Sequence, residues 1–367
     1  MTSYTQMKQF LCLFAFLCLA SVITSTANAT TIPVNSQNDI IKNDDGLCTL
    51  REAVIAANKN TKSGSVSGEC RGGNNTNDTI VLGAGTYKLT IAGADGEALV
   101  GDLDVIGSVS IQGAGLDKTT IDVGGLERAF DVHGPGVVLQ LNQLTIANGK
   151  AGSEPGGAIR TDATDQFLFL NEVRVASNSA KVGGAIYSKA MLNLFQCQLA
   201  DNTAEKGGAI YHLSGQADVS ESTFSNNAAT GTEVLRGGGG IYNSGTLTVN
   251  DSVFKKNTAA KEGGGIASEG TLTVFLNTFD QNKATSGAGI HAKGSVTIQR
   301  SSFSINVSPL DGGTGGAIAV DAASTTSLES TSIYTNAASY GGGVYNAGNV
   351  QIQNTSFLSN IVFNKGG

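Results

Sequence analysis

Glu221, Asp251 and Arg300 are the arrangement of charge best suited to chemistry in this sequence. Carboxylates on neighbouring strands can hold a cation or act as acid and base. A nearby basic group can take a proton from a sugar ring, so the trio would suit cleavage of a polysaccharide. Leu276 falls between Asp251 and Arg300 in the same series, and a solvated strand face commonly carries such charges, which is the competing reading. Asp102 and Asp104 share one face of a strand, roughly 7 Å apart along it. They suit a carboxylate pair or a metal, although no second acidic cluster is evident nearby. His133, His212 and His291 recur every 79 residues. No Gly-x-Ser-x-Gly elbow, phosphate-binding loop or dinucleotide fingerprint is present. Tyr187, Tyr211 and Tyr242 form a tyrosine series, able to pack against a sugar or a partner protein.

What positions these residues is a repeat. From residue 156 onward a phrase recurs: Gly156-Gly157-Ala158-Ile159, Gly183 to Ile186, Gly207 to Ile210, Gly238 to Ile241, and on to Gly341 to Val344. A second follows it: Phe224-x-x-Asn227, Phe254-x-x-Asn257, Phe279-x-x-Asn282, Phe303-x-x-Asn306, with variants ending at Asn148, Asn178, Asn202 and Asn336. Successive Asn lie 24 to 30 residues apart. Between the phrases apolar and polar residues alternate, as in Thr246-Leu247-Thr248-Val249, which is strand periodicity. One such unit cannot bury its apolar face, but stacked units can, so a parallel β-helix is expected, rising about 4.8 Å per coil. General crossover chirality makes it right-handed.

Stacking turns the repeat into columns. Phe224, Phe254 and Phe279 should point inward, with Cys197, Ser222, Ser252 and Asn277 beside them two residues earlier. Cys197 reads as a small buried substitute rather than a catalytic thiol. The Asn column reads as stacked amides that satisfy a turn. Tyr187, Tyr211 and Tyr242 should point outward as an exposed ladder, although Tyr also simply favours strands. Three coils separate the histidines, so they cannot share one metal. Longer connections at Gly149 to Pro155, Ala228 to Gly237 and Val307 to Thr314 should emerge on one edge.

The amino-terminal part differs. Phe10 to Val22 is apolar and Ala27-Asn28-Ala29 offers a cleavage site, so residues 1–29 read as a secretory signal peptide. Residues 30–78 read as a cap, in which Thr49 to Glu52 opens a helix from Leu50 to Asn58 with Leu50, Ala53, Val54 and Ala57 on one face. Cys48 and Cys70 are close in sequence and suit a disulfide after export. Residues 79–367 are the coils. A net charge of −7, with 14% charged residues and 49 Gly, opposes both nucleic-acid binding and a helical bundle. No cofactor, metal or transmembrane helix of the mature chain is expected.

Cys48-Thr49-Leu50-Arg51-Glu52-Ala53 resembles the CSLREA domain of secreted bacterial proteins, with Thr for Ser. The Gly-Gly-Ala-Ile and Phe-x-x-Asn phrases resemble the repeats of chlamydial polymorphic outer-membrane proteins. The resemblance implies a pectin-lyase-like β-helix at the cell surface, often linked to adhesion. No β-barrel pattern follows the repeats, so self-translocation is not carried over. The expected function is non-catalytic recognition of an extracellular glycan or of a host or cell-surface protein. A polysaccharide lyase or glycoside hydrolase, and a structural spacer, are the alternatives.

Overall fold

The computed structural model describes residues 29–363, apart from 75–76, 234–236 and 310. The segment read as a signal peptide therefore lies outside the described residues save for Ala29, as do parts of two of the long connections.

The chain is a parallel β-solenoid of ten rungs, counted on a ten-stranded sheet from Leu103–Val105 to Val344–Asn346, called sheet B here. Each later coil runs from a short sheet B strand into a five-residue strand, a corner, and a three-residue strand. A second corner then leads back toward the Gly-Gly phrase. The coil from Ile186 shows it: Ile186–Ser188, Met191–Phe195 and Gln198–Ala200. Strands pair in register with their equivalents one coil on, so Leu247, Leu272 and Val296 superpose.

Corners are sharp because three positions per coil adopt left-handed backbone. In the coil from Ile186 these are Gln196 (φ 52°), Asp201 (φ 56°) and, closing it, Gly207 (φ 64°). Only Gly fits the third, where an added Cβ would strike the carbonyl of Ile210. This corrects the reading of Glu221, Asp251 and Arg300 as strand-face residues. With φ of 49°, 48° and 48° they are corner residues, bent out of the strand.

Inside, like stacks on like. Phe224, Phe254, Phe279 and Phe303 form parallel rings with centroids 4.6, 4.8 and 4.7 Å apart. Beside them each Asn amide donates to the carbonyl oxygen of the next: Asn227 Nδ2 to Asn257 Oδ1 at 2.9 Å, Asn257 to Asn282 at 3.1 Å. Its second hydrogen reaches back to the preceding coil, as from Asn257 Nδ2 to Phe224 O. The amide ladder runs from Asn178 to Asn360. Asn148 is not in it: Ala147 pairs with Ala176, which aligns Asn148 with Ser177, and Gly149 takes the column's place by donating its N–H to Asn178. A parallel ladder runs from Cys197 N–H to Ser222 Oγ, and from Ser222 N–H to Ser252 Oγ.

The amino-terminal end is closed as the sequence suggests, with one addition. Helix α1 spans Leu50–Lys59 with the Thr49–Glu52 capping box formed, and Cys48 and Cys70 are disulfide-bonded. Thr31–Pro33 also pairs with Asp78–Val81, adding a strand to the cap. The helix buries Arg51 as well as its apolar face. Arg51 bonds Asp39 at 2.6 Å and the carbonyls of Ala98, Gly101 and Asp102. Asn58, seven residues on, binds Asp104 O and the N–H groups of Ile106 and Gly107. The cap thereby fixes the segment that carries Asp102 and Asp104.

Candidate functional site

In sheet B strands the first residue points inward and the second outward. Register along the outward column gives Asp104, Asp131, Arg160, Tyr187 and Tyr211 on successive rungs. Tyr242, Ala267, His291, Ala319 and Tyr345 continue it. This column is the candidate site, and it falls into three parts.

The first is an ion network that sequence reasoning missed. His133 Nε2 lies 2.9 Å from Asp104 Oδ1 and 3.4 Å from Asp131 Oδ2. Arg160 grips both oxygens of Asp131, with Nε 2.8 Å from Oδ1. Arg128 Nη1 reaches Asp102 at 2.6 Å and Asp131 at 3.3 Å. Asp102, Asp104, Arg128 and Asp131 are buried, whereas His133 keeps 33% of its side chain exposed. The hydrogen bonds that His133 donates to Asp104 and then Asp131 push its pKa up to about 10, so the imidazole is a cation at neutral pH. Burial pushes Asp102 up to about 7, with Asp131 and Asp104 adding to the rise against the pull of Arg128. Burial acts the same way on Asp131, but hydrogen bonds from His133 and Arg160 outweigh it and leave its pKa low. The expectation that Asp102 and Asp104 lack acidic company is thus overturned. Asp131 is their neighbour one coil on. The signal was present in Leu103-Asp104-Val105 and Phe130-Asp131-Val132, which are equivalent strands without the Gly-Gly phrase.

The second part is the tyrosine stack. Tyr187 and Tyr211 are parallel with centroids 5.6 Å apart, and Tyr211 and Tyr242 at 5.0 Å. The rungs impose this spacing, so Tyr211 has both faces covered by its neighbours. Lys206 Nζ lies over the Tyr242 ring at 3.6 Å. Tyr242 is 2% exposed, and burial together with a hydrogen bond to Glu269 raises its pKa. An exposed ladder is therefore half right: Tyr187 and Tyr211 are partly exposed, Tyr242 is covered. What faces outward is ring edge, with Tyr187 at the end of the stack next to Arg160 of the preceding rung.

Past Ala267 comes a second charged group. His291 Nε2 lies 3.2 Å from Asp321 Oδ1, and Lys293 Nζ bonds Glu262 at 2.8 Å. The His291 hydrogen bond holds the Asp321 carboxyl below its usual range. The three histidines occupy unrelated positions despite their equal spacing. His133 lies in the ion network, His212 is buried in line with Ser188, and His291 is in the outward column.

The polysaccharide-cleaving trio is not assembled. Glu221 accepts from Gln196 Nε2 at 2.9 Å, and the Arg300 guanidinium sits over Phe275 at 5.7 Å. Asp251 is one rung from Glu221, with the Leu276 corner separating it from Arg300. Cys197 is buried, and burial pushes its thiol up to about 12, leaving no nucleophile at neutral pH.

The repeats themselves have known counterparts. Residues 221–244 and 251–269 match the Chlamydia polymorphic membrane protein repeat. The first stretch includes the strand that bears Tyr242, and the second includes the strand that bears Ala267. No curated protein matches the chain. Among solved structures, the mannuronan C-5 epimerase AlgE4 A-module of Azotobacter vinelandii aligns at 14% identity and TM-score 0.34, covering 77% of this chain and 87% of that one. The AlgE6 A-module of the same organism aligns at 12% and 0.31, covering 77% and 91%. A rice weevil pectin methyl esterase aligns at 12% and 0.34, covering 90% and 92%. At these values the likenesses assign no residue a role. Among the described residues no helix is long and apolar enough to cross a membrane.

Proposed function

We propose that this is an exported recognition protein, adhesin-like, which presents the outer face of sheet B to an extracellular glycan or cell-surface protein. One observation carries the reading. From Ile159 to Ile318 the first, inward residue of each sheet B strand is Ile on seven successive rungs, while the outward one beside it changes from Arg160 through a tyrosine stack to a second charged group, beyond an ion network on the rungs before. A solenoid needs uniformity inside; variety outside on a rigid, flat face serves contact with something else. The Cys48–Cys70 disulfide suits an oxidising compartment, and the polymorphic membrane protein repeat suits a surface location.

A second reading, a polysaccharide-cleaving enzyme, is favoured by the same network. Two buried carboxylates, Asp104 and Asp131, stand behind a part-exposed imidazole on the open face. Screening residues 30–367 against glycan and protein arrays, with product analysis on acidic and neutral polysaccharides, separates the two. Recognition predicts saturable binding without new chain ends. Tyr187→Ser with Tyr211→Ser should abolish it while Glu221→Ala leaves it intact. Unchanged binding in the tyrosine variant rejects this face, and chain cleavage that depends on His133 replaces the first reading with the second.

A further inference from the structure

We propose that Asp104, Asp131 and His133 bind a divalent transition-metal ion, zinc-like in its preferences, at the amino-terminal end of the outward column. This stands whether or not the recognition reading does. The three donor atoms, Asp104 Oδ1, Asp131 Oδ2 and His133 Nε2, all fall within 4.8 Å of one another. The imidazole nitrogen is 2.9 and 3.4 Å from the two oxygens. A tetrahedral ion with ligands at about 2.0–2.1 Å holds its ligand atoms about 3.3 Å apart. Small rotations of the side chains therefore reach that geometry. One imidazole and two carboxylates suit zinc and its neighbours, whereas calcium takes about six to eight oxygens.

The supports around the donors are those a metal site needs. Asp104 Oδ2 accepts the Ala98 N–H at 2.9 Å, and Asp131 Oδ1 accepts Arg160 Nε at 2.8 Å, which orients both carboxylates. Asn58 on the capping helix holds the Asp104 carbonyl at 2.7 Å. Charge points the same way. Among the described residues the cations that pair with the carboxylates of Asp102, Asp104, Glu127, Asp131 and Glu154 are the guanidinium groups of Arg128 and Arg160 and the imidazole of His133.

Arg128 supplies an independent sign. Its side chain is 3% exposed and enters the network through Nη1, yet Nε and Nη2 have no hydrogen-bond partner among the described residues. Buried donors of this kind require an oxygen, and the water or anion completing an ion's coordination provides one. His133 is the exposed member, so the ion enters from its side. On binding, the Nε2 proton passes to solvent and the freed lone pair goes to the metal. Arg128 and Arg160 compete for Asp131, so binding should be moderate rather than tight.

The test uses tag-free residues 30–367, stripped with chelator and titrated with cobalt chloride, followed by visible absorption and equilibrium dialysis. One cobalt per chain is expected, with d–d bands of low-symmetry four-coordination that zinc chloride abolishes. His133→Ala and Asp104→Asn should each weaken binding about tenfold or more, and the control Asp251→Asn should not. Circular dichroism of each variant checks the fold. If Asp104→Asn fails to fold, His133→Ala, at a part-exposed position, decides alone. Absence of cobalt binding, or binding indifferent to His133→Ala, overturns the site and leaves a proton-bridged ion network only.

Discussion

The two sides of sheet B are built by one chain under opposite rules. Inward, Ile159, Ile186, Ile210, Ile241, Ile266, Ile290 and Ile318 superpose, because each side chain must fill the space that its neighbour leaves at the rung spacing. Outward, Arg160, Tyr187, Tyr242, Ala267 and His291 sit on the same strands with no common chemistry. Parallel in-register stacking multiplies whatever a column contains. Identical inward residues give a continuous core, whereas like charges stacked outward would repel. In the outward column the stacked Asp104 and Asp131 are instead offset by Arg128, His133 and Arg160, and its composition is free to serve contact. Uniformity marks the scaffold, and departure from it marks the site.

The sharpest way to break this contrast is from the inside. Phe254→Ala opens a hole between Phe224 and Phe279, whose rings lie 4.6 and 4.8 Å from it. It should cost about 3–5 kcal/mol, read as a lower urea midpoint. Asn257→Ala comes next. It removes four hydrogen bonds, two accepted from Asn227 and one donated each to Phe224 O and Asn282. At about 1 kcal/mol apiece, the loss should approach 3–4 kcal/mol.

The outward ion network should respond to pH instead of to packing. Asp102 and His133 have raised folded-state values, about 7 and about 10, so the stability they lend is full at low pH. It is lost as pH rises through each of those values. Asp131 is lowered, so its share disappears only as pH falls below the usual carboxylate range. With chelator present, amide protection around residues 101–105 and 128–133, corrected for the intrinsic base-catalysed exchange rate, should be greatest near pH 5 and fall by pH 9. A flat profile would mean that the charges are not coupled as their distances suggest. The smallest effect belongs to the corners. Glu221→Ala and Asp251→Ala should each shift stability within about 0.5 kcal/mol and leave binding unchanged, measured on the same arrays. A larger binding loss would return the corner residues to the site.

Much of the scaffold could be read from residue order alone. The Gly-Gly and Phe-x-x-Asn phrases identify each coil, and Thr49 to Glu52 with Cys48 and Cys70 identify the cap. These are local requirements: a left-handed corner, a capped helix, an amide that closes a turn. The corner role of Glu221 was hidden because no glycine marks that position, although its backbone is left-handed. Tyr242 looked exposed because Lys206, far from it in the chain, comes to lie over its ring.

The sequence by itself thus determined the stacking, the inward columns and the closed amino-terminal end, since each follows from the shape and hydrogen bonding of short recurring segments. Only the tertiary structure decided which outward residues meet. Asp104 and Asp131 lie on strands without the Gly-Gly phrase, Arg160 follows the first copy of it, and His133 joins them from a position outside the strand. Contacts of that kind depend on the length of every intervening loop. A repeat that fixes the rise between rungs leaves the loops, and therefore the outer neighbours, to the folded chain.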